Sequence, residues 1–495
     1  MTDDLTEHLS HLRARLGSLQ EDDLPVHGGR TLAYVYDSGL GAVDELAREA
    51  VAAYAGSNGL DPTAFPSLLQ MENDLVAFAA GILDAPDSAV GTITSGGTES
   101  VLLAVQSARD AHPEVTSPSM VLPSTAHAAF HKAAHYFGVR AVLVPVGPDF
   151  RADPDAMAAA IDDSTVLVVA SAPSYAHGVV DPVTEVAAAA AARGIRCHVD
   201  ACIGGWVLPY AARLGRAVPP WTFAVEGVTS ISVDLHKYAY APKGASLLLH
   251  RTPSLRRPQY FASAAWPGYT MLNSTMQSTR SGGPVAGAWA AVHAIGDAGY
   301  ERLTAEVFGA VDALVAGVAD IDGVGVVVPP DSTLIALVTD ETCDPFTICD
   351  EMAERDFYVQ PQLSYGDQAA TVHLSVSAAT LPLVDDLLAA LASSVEAARA
   401  AGPVRVDPGI AAYVASLDPA GIGDDEFDGL LEAAGLLGPG PGPDDAAPGT
   451  SSGLALPSRM AEVNALLDLA TPALREAVLV AFLDRLQRHG ERPSG

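Results

Sequence analysis

The chain has 495 residues, 49% of them apolar and 18% charged, the composition of a core-forming globular protein and not of a disordered or fibrous one. Acidic residues outnumber basic ones 60 to 27, for a formal charge of -33. That balance argues against a general nucleic-acid binder, which needs a basic footprint, and against a protein held on an anionic membrane surface.

Length alone predicts two or three domains. Residues 1–60 read as an N-terminal helical segment with a loop around 26–41. Apolar residues then recur at helical spacing over 67–82, in Leu68, Leu69, Leu75, Val76 and Phe78. From there strand and helix patterns alternate. Strands are predicted at 89–94, 120–123, 141–146, 165–170, 195–199, 229–233 and 245–250. Helices are predicted at 97–111, 126–137 and 183–193. Continuous apolar strands between helices predict an α/β domain over 61–300 with a buried, mostly parallel sheet. A helical pattern over 287–318, strands at 324–328, 334–338 and 372–376, and a helix at 381–401 predict a smaller α+β domain over 301–403. Residues 404–495 form an acidic extension, with a Gly/Pro-rich linker at 438–453. A terminal helix is capped by Thr471, started by Pro472 and expected to end at Gly490. Its apolar face, Leu474, Val478, Phe482 and Leu486, is expected to dock on the protein itself.

No apolar run of transmembrane length stands out, and the opening MTDDLTEHLSHLRARL is charged and amphipathic, unlike a secretory signal. Cys197, Cys202, Cys343 and Cys349 lack CxxC spacing. A reducing, cytoplasmic location without membrane insertion is expected.

Three segments carry chemistry. Thr94-Ser95-Gly96-Gly97-Thr98-Glu99-Ser100 is a glycine-rich turn between a strand and a helix, where free N–H groups and the helix dipole suit a phosphate. A capped tight turn reads equally well, and neither nucleotide fingerprint is present. His198-Val199-Asp200-Ala201-Cys202 ends an apolar strand, the edge at which open α/β sheets place ligands. Ser232-Val233-Asp234-Leu235-His236-Lys237 ends another. Only three lysines exist, Lys132, Lys237 and Lys243, so any amine chemistry falls to one of them. A phosphate cup, a carboxylate and a lysine amine at one edge are what pyridoxal 5'-phosphate requires. A carboxylate about 4 Å from the ring nitrogen contributes roughly 4 kcal/mol at an effective dielectric of about 20, enough to keep that nitrogen protonated. Asp200 is chosen for that role.

The stretches GTITSGGTES (91–100), AHAAFHKAAHYFG (126–138), HVDACIGG (198–205), SVDLHKYAYAPKG (232–244) and STRSGG (278–283) occur in this order. Together they resemble the group II pyridoxal-phosphate-dependent decarboxylases, most of all the sphingosine-1-phosphate lyase branch. The resemblance implies an aspartate-aminotransferase-like fold of type I and a homodimer with active sites shared between subunits. Lys237 then resembles the Schiff-base lysine, and Asp200 the partner of the pyridine nitrogen. His127 resembles the residue stacked on the ring, with Ala201 against its other face. Gly97, Thr98 and His236 match phosphate-binding positions, and Thr279 is expected to reach the phosphate from the neighbouring subunit. Lys243 matches a second lysine near the substrate, and Tyr175 and Tyr36 match tyrosines lining the site. His127, His131 and His135 at i, i+4, i+8 also admit a metal face, but no metal is expected.

One departure bears on substrate. The lyases carry NPLHPDxFPG, with the histidine near the substrate phosphate. This chain keeps Asn58 but has Asp61 in the histidine's place, so a carboxylate would repel a phosphate there. A turn role for Asp61, before Pro62, is the alternative. The expected activity is carbon–carbon cleavage in a small amine or amino-acid substrate, with decarboxylation ahead of retro-aldol release of an aldehyde. Transamination, or an inactive cofactor-binding scaffold, are the remaining alternatives.

Overall fold

The computed structural model describes residues 2–433 and 458–487. The seven predicted strands form one sheet: β1 (Val90–Thr94), β2 (Ser119–Pro123), β3 (Arg140–Val144), β4 (Thr165–Ser171), β5 (Arg196–Asp200), β6 (Val228–Val233) and β7 (Ser246–His250), in the order β1-β7-β6-β5-β4-β2-β3. β7 runs antiparallel to both of its neighbours, and the pairings from β6 out to β3 are parallel. Every residue of β2, β4 and β7 is buried. Such strands read as unbroken apolar runs because helices cover both faces of the sheet. All strands except β7 therefore end at one edge, and the loops after β1, β2, β4, β5 and β6 converge there.

After β7 a short hairpin, β8 (Phe261–Ser263) with β9 (Met271–Asn273), leads into the helix Gly283–Val318. That helix bends at Gly296, whose φ of 63° lies in the left-handed region that a side chain disfavours. It ends at a second, antiparallel sheet: β10 (Val324–Val326), β11 (Leu334–Thr339), β12 (Gln360–Gln362) and β13 (Thr371–Ser375), in the order β10-β11-β13-β12. Helices Pro345–Ala353 and Val384–Ala401 accompany it. The stretch Ala378–Ala401 is, by length and composition, long and apolar enough to cross a membrane, contrary to the sequence reading. Here Val384, Leu387, Leu391, Val395 and Ala398 form its buried face in the main core.

The N-terminal segment is more than helices. Between Thr2–Ser18 and Gly41–Tyr54 the chain crosses to the small sheet. Leu32 N donates to Tyr358 O at 2.8 Å, Tyr358 N to Arg30 O at 3.0 Å, and Ser375 N to Leu32 O at 2.7 Å. This carries Tyr34 and Tyr36 over the convergent edge of the large sheet.

Among the described residues, four α-helices follow the small domain: Pro408–Ser416, Asp424–Ala433, Ala461–Leu469 and Pro472–Leu486. Thr471 caps the last, accepting from Leu474 N, and Leu474 and Val478 pack among their neighbours. The unit docks on the small domain. Asp350 accepts from Met460 N and Ala461 N at 2.8 and 2.9 Å, and Ser364 N donates to Asp468 at 2.6 Å. The predicted linker 438–453 and the helix end at Gly490 lie outside the described residues.

Candidate active site

The convergent edge encloses a cavity of about 400 Å³, lined by residues 95–99, His127, Ser171, Pro173, Tyr175, Asp200, Cys202, Ile203, Asp234, His236 and Lys237. The glycine-rich turn enters it as the start of the helix Gly97–Asp110, which has no side-chain cap. The first N–H groups of a helix lack internal partners, so here they are left for a ligand. Gly97 is required by packing: a Cβ there would lie 2.7 Å from Cys202 Sγ and 2.8 Å from both carboxylate oxygens of Asp234. Glu99, also at this helix start, is buried. It accepts from Ser95 N at 2.6 Å, Ser95 Oγ at 2.8 Å and Met276 N at 2.8 Å, so it ties the cup to the loop after β9.

Lys237 projects into the cavity with its side chain 20% exposed, and its Nζ lies 2.9 Å from Asp234 Oδ2. Burial would lower the lysine pKa, but the negative charge of Asp234 outweighs it and holds the ammonium above the ordinary range. Burial pushes the Asp234 carboxyl the other way, yet Lys237 and His236 together keep its pKa below normal. Asp234 Oδ1 and His236 Nδ1 are buried without a partner. Asp234 is the functional residue that sequence reasoning passed over. The available signal was chemical: a buried amine needs a counter-ion, and Asp234 stands three residues before it.

Asp200 accepts from Cys202 N at 3.1 Å and Ser232 Oγ at 3.3 Å, both on Oδ1. His127 is exposed at the mouth, where its Nδ1 accepts from Ala129 N at 3.1 Å; the neutral ring thus carries its proton on Nε2. Its helix begins only at Ala129, so His127 falls outside the helical row with His131 and His135, both of which are exposed. Ala201 is buried between Asp200 and Cys202. Cys202 is also buried, and its thiol pKa is raised by burial and then by Asp200 and Asp234, the fate of a small packed residue rather than a redox thiol.

The small domain and the N-terminal crossing lie beside this cavity, next to Tyr175. Tyr175 Oη donates to Gln360 Oε1 at 2.7 Å, Gln360 Nε2 donates to Tyr34 Oη at 3.2 Å, and the Tyr175 ring stacks on His373 at 4.5 Å. Burial raises the Tyr175 pKa to about 12. Burial pushes the Tyr36 hydroxyl pKa upward; Lys237 is close enough to pull it down and Asp234 to push it up. Lys243 is an exposed residue; its Nζ donates to Tyr34 O at 2.7 Å and lies 5.0 Å from the centre of the Tyr36 ring. Desolvation at that end, then repulsion from Lys237, lower its pKa to about 8.

Of the predicted residues, Ala201, Tyr36 and Lys243 stand beside this cavity without lining it, and three more lie away from it. Thr279 is exposed on the loop after β9. Asn58 Oδ1 accepts from Leu60 N at 3.0 Å and Arg280 N at 3.3 Å, joining its turn to that loop. Asp61 is exposed, and its Oδ1 accepts from Thr63 N, Thr63 Oγ1 and Ala64 N at 2.8, 2.6 and 3.2 Å. Those bonds lower its pKa and give it the turn role within its own chain.

Uncapped helix N–H groups, an amine beside a carboxylate and a second carboxylate with one oxygen uncommitted suit a phosphorylated aldehyde bearing a basic ring nitrogen. The comparisons agree. Residues 33–320 match the pyridoxal-dependent decarboxylase conserved domain, and residues 408–485 match the pyridoxal-dependent enzyme C-terminal putative HTH domain. The chain belongs to the pyridoxal-dependent decarboxylase family. It is an enzyme, a pyridoxal-phosphate-dependent lyase with the type I fold. The chain is 38% identical over 368 residues to sphingosine-1-phosphate lyase of Arabidopsis thaliana, covering 72% of this chain and 67% of that protein. The structure of a Burkholderia pseudomallei sphingosine-1-phosphate lyase matches with a TM-score of 0.73 at 31% identity, over 81% of this chain and 92% of the other. Glutamate decarboxylase of Lactobacillus brevis shares the fold, with a TM-score of 0.70 at 19% identity over 79% and 93% of the two chains.

Proposed function

We propose that this lyase releases an aldehyde from a small amino-alcohol by carbon–carbon cleavage, in cytoplasmic homodimers that share their active sites. When bound, pyridoxal phosphate supplies an electron sink for the carbon that carries the substrate amine. Lys237 would hold its aldehyde carbon, Asp200 its ring nitrogen, and His127 and Ala201 its two faces. The N–H groups at Gly97 and Thr98, with His236, would hold its phosphate. The turns bearing half-buried Asn58 and exposed Asp61 and Thr279 suit elements that serve the site of a second copy; an active monomer in sedimentation at low concentration would oppose this.

One observation carries the choice of aldehyde over carbon dioxide. Retro-aldol cleavage needs a base for the substrate hydroxyl, and decarboxylation does not. Lys243, whose Nζ stands at the Tyr34–Tyr36 crossing beside Lys237 and whose pKa is lowered to about 8, would take that proton near neutrality. The hydroxyl proton passes to Lys243 Nζ as the carbon–carbon bond breaks, its electron pair goes to the amine-bearing carbon, and the aldehyde leaves. Decarboxylation is favoured by one residue only, Asp61, if its carboxylate faces a second copy's cavity and repels a phosphorylated substrate. Of the described arginines of the C-terminal extension, Arg459, Arg475 and Arg485 are ion-paired within the chain, which supports a reading without a nucleic-acid partner.

The test is turnover of amino acids, amino-alcohols and their phosphates, scored separately for aldehyde and carbon dioxide. Aldehyde release should rise through about pH 8 as Lys243 loses its proton. Lys243→Arg, which keeps the charge, should lose that limb and about 10²–10⁴-fold in rate. Carbon dioxide from amino acids without aldehyde from any amino-alcohol would overturn the reading.

A further inference from the structure

Behind Asp200 lies a buried polar chain that the proposed chemistry does not use. β5 and β6 are parallel neighbours with His198 opposite Ser230 and Asp200 opposite Ser232. Alternate residues of a strand share a face, so the four side chains meet on one side of the sheet. Ser230 Oγ is 2.9 Å from His198 Nδ1, His198 Nε2 is 3.2 Å from Ser232 Oγ, and Ser232 Oγ is 3.3 Å from Asp200 Oδ1. His198 and Ser232 are wholly buried, and Ser230 and Asp200 nearly so.

The donor inventory fixes the direction. A carboxylate only accepts, so the contact at Asp200 requires the Ser232 hydroxyl to donate. Ser232 Oγ then accepts from His198 Nε2–H, and from the Cys202 thiol at 3.4 Å. With the imidazole proton on Nε2, Nδ1 is left to accept from Ser230. Burial keeps His198 neutral, with its pKa lowered to about 4 even though Asp200 pulls the other way. The imidazole is thus a dipole rather than a second charge. Each hydrogen points towards the carboxylate.

We propose that Ser230, His198 and Ser232 form a one-way chain of donors that holds the Asp200 carboxylate aimed, making His198 and Ser232 positioning residues for the cofactor's ring nitrogen. The proposal rests on the reading of Asp200 as that nitrogen's partner, and the experiment separates the two.

Cofactor-free protein is titrated by calorimetry with pyridoxal phosphate and with its 1-deaza analogue, in which a CH replaces the ring nitrogen. The ratio of the two affinities reports only the contact at the nitrogen. Ser232→Ala should reduce the wild-type preference for pyridoxal phosphate about tenfold, the effect of one hydrogen bond to a charged group. Ser230→Ala, one link further away, should reduce it about threefold, and Asp200→Ala should abolish it. A ratio unchanged in Ser232→Ala but lost in Asp200→Ala overturns the relay alone. A ratio unchanged in Asp200→Ala overturns the reading of Asp200 and the relay with it. If Ser232→Ala yields no folded protein, Ser230→Ala decides: a threefold fall supports the relay and an unchanged ratio overturns it.

Discussion

Replacing Asp234 with asparagine keeps the shape of the side chain and removes the carboxylate lying 2.9 Å from Lys237 Nζ. At that distance two unit charges attract by about 6 kcal/mol at an effective dielectric of about 20. Desolvation of the pair returns part of this, since both groups are withdrawn from water. If half survives, the ammonium form of Lys237 is favoured by about 3 kcal/mol, or about two orders of magnitude in the fraction of neutral amine. Only the neutral amine attacks an aldehyde, so the wild-type protein should capture pyridoxal phosphate slowly at pH 7 and faster as pH rises. Asp234→Asn should capture it about 100-fold faster at pH 7, and its rate should level off at a lower pH. The assay is stopped-flow absorbance of cofactor-free protein mixed with pyridoxal phosphate across a pH series. Relief of repulsion between Asp234 and the incoming phosphate would raise the rate by a similar factor at every pH, so the shape of the profile isolates the lysine. Profiles of the same shape in both proteins would refute the counter-ion argument.

Borohydride treatment of the protein loaded with pyridoxal phosphate should bleach its visible band and leave the label on Lys237; a labelled peptide containing Lys132 or Lys243 instead would displace Lys237 from its role. Asp61→His should shift catalytic efficiency towards a phosphorylated amine over its unphosphorylated counterpart. An unchanged ratio would leave Asp61 as the turn residue seen in its own chain, with no voice in substrate choice. Acid should destabilise the fold through its buried histidines. His177, His198 and His373 have pKa values lowered to about 4 by burial, so between about 6.5 and 4 the unfolded chain binds protons that the folded one excludes, and stability falls as pH falls. Each should contribute about 2 kcal/mol of loss between pH 7 and pH 5, read as a drop in the urea unfolding free energy. Equal stability at the two pH values would contradict this.

The large sheet was legible because its strands are buried on both faces, so local composition and tertiary environment say the same thing. Each of the seven predicted runs overlaps an observed strand. Elements whose local signal conflicts with their setting were missed. The helix Gly204–Arg213 opens on two glycines and contains Pro209, and β12 reads Gln360-Pro361-Gln362, tolerable only because that strand lies at an edge of its sheet. Among site residues, those at the ends of consecutive apolar strands were placed by alternation alone, since every strand but β7 delivers its C-terminal loop to the same edge. Lys237, Asp200 and the glycine-rich turn belong to this group.

What the sequence determined by itself was therefore the chemistry held by short segments: a lone lysine after a strand, a carboxylate after its neighbour, and glycines where a helix begins. What only the tertiary structure decided was the chemistry made across long separations. Tyr36 comes within electrostatic reach of Lys237 because residues 30–32 pair beside Tyr358, more than three hundred positions away. Gln360 bridges Tyr175 and Tyr34 from a third region of the chain. The donor line behind Asp200 exists because β5 and β6 pair in one register; a slip of one residue would turn His198 and Asp200 away from both serines. Periodicity reports which face of an element is buried. It carries no information about which distant element will lie against that face, and the assignment of partners comes from the packing of the whole core.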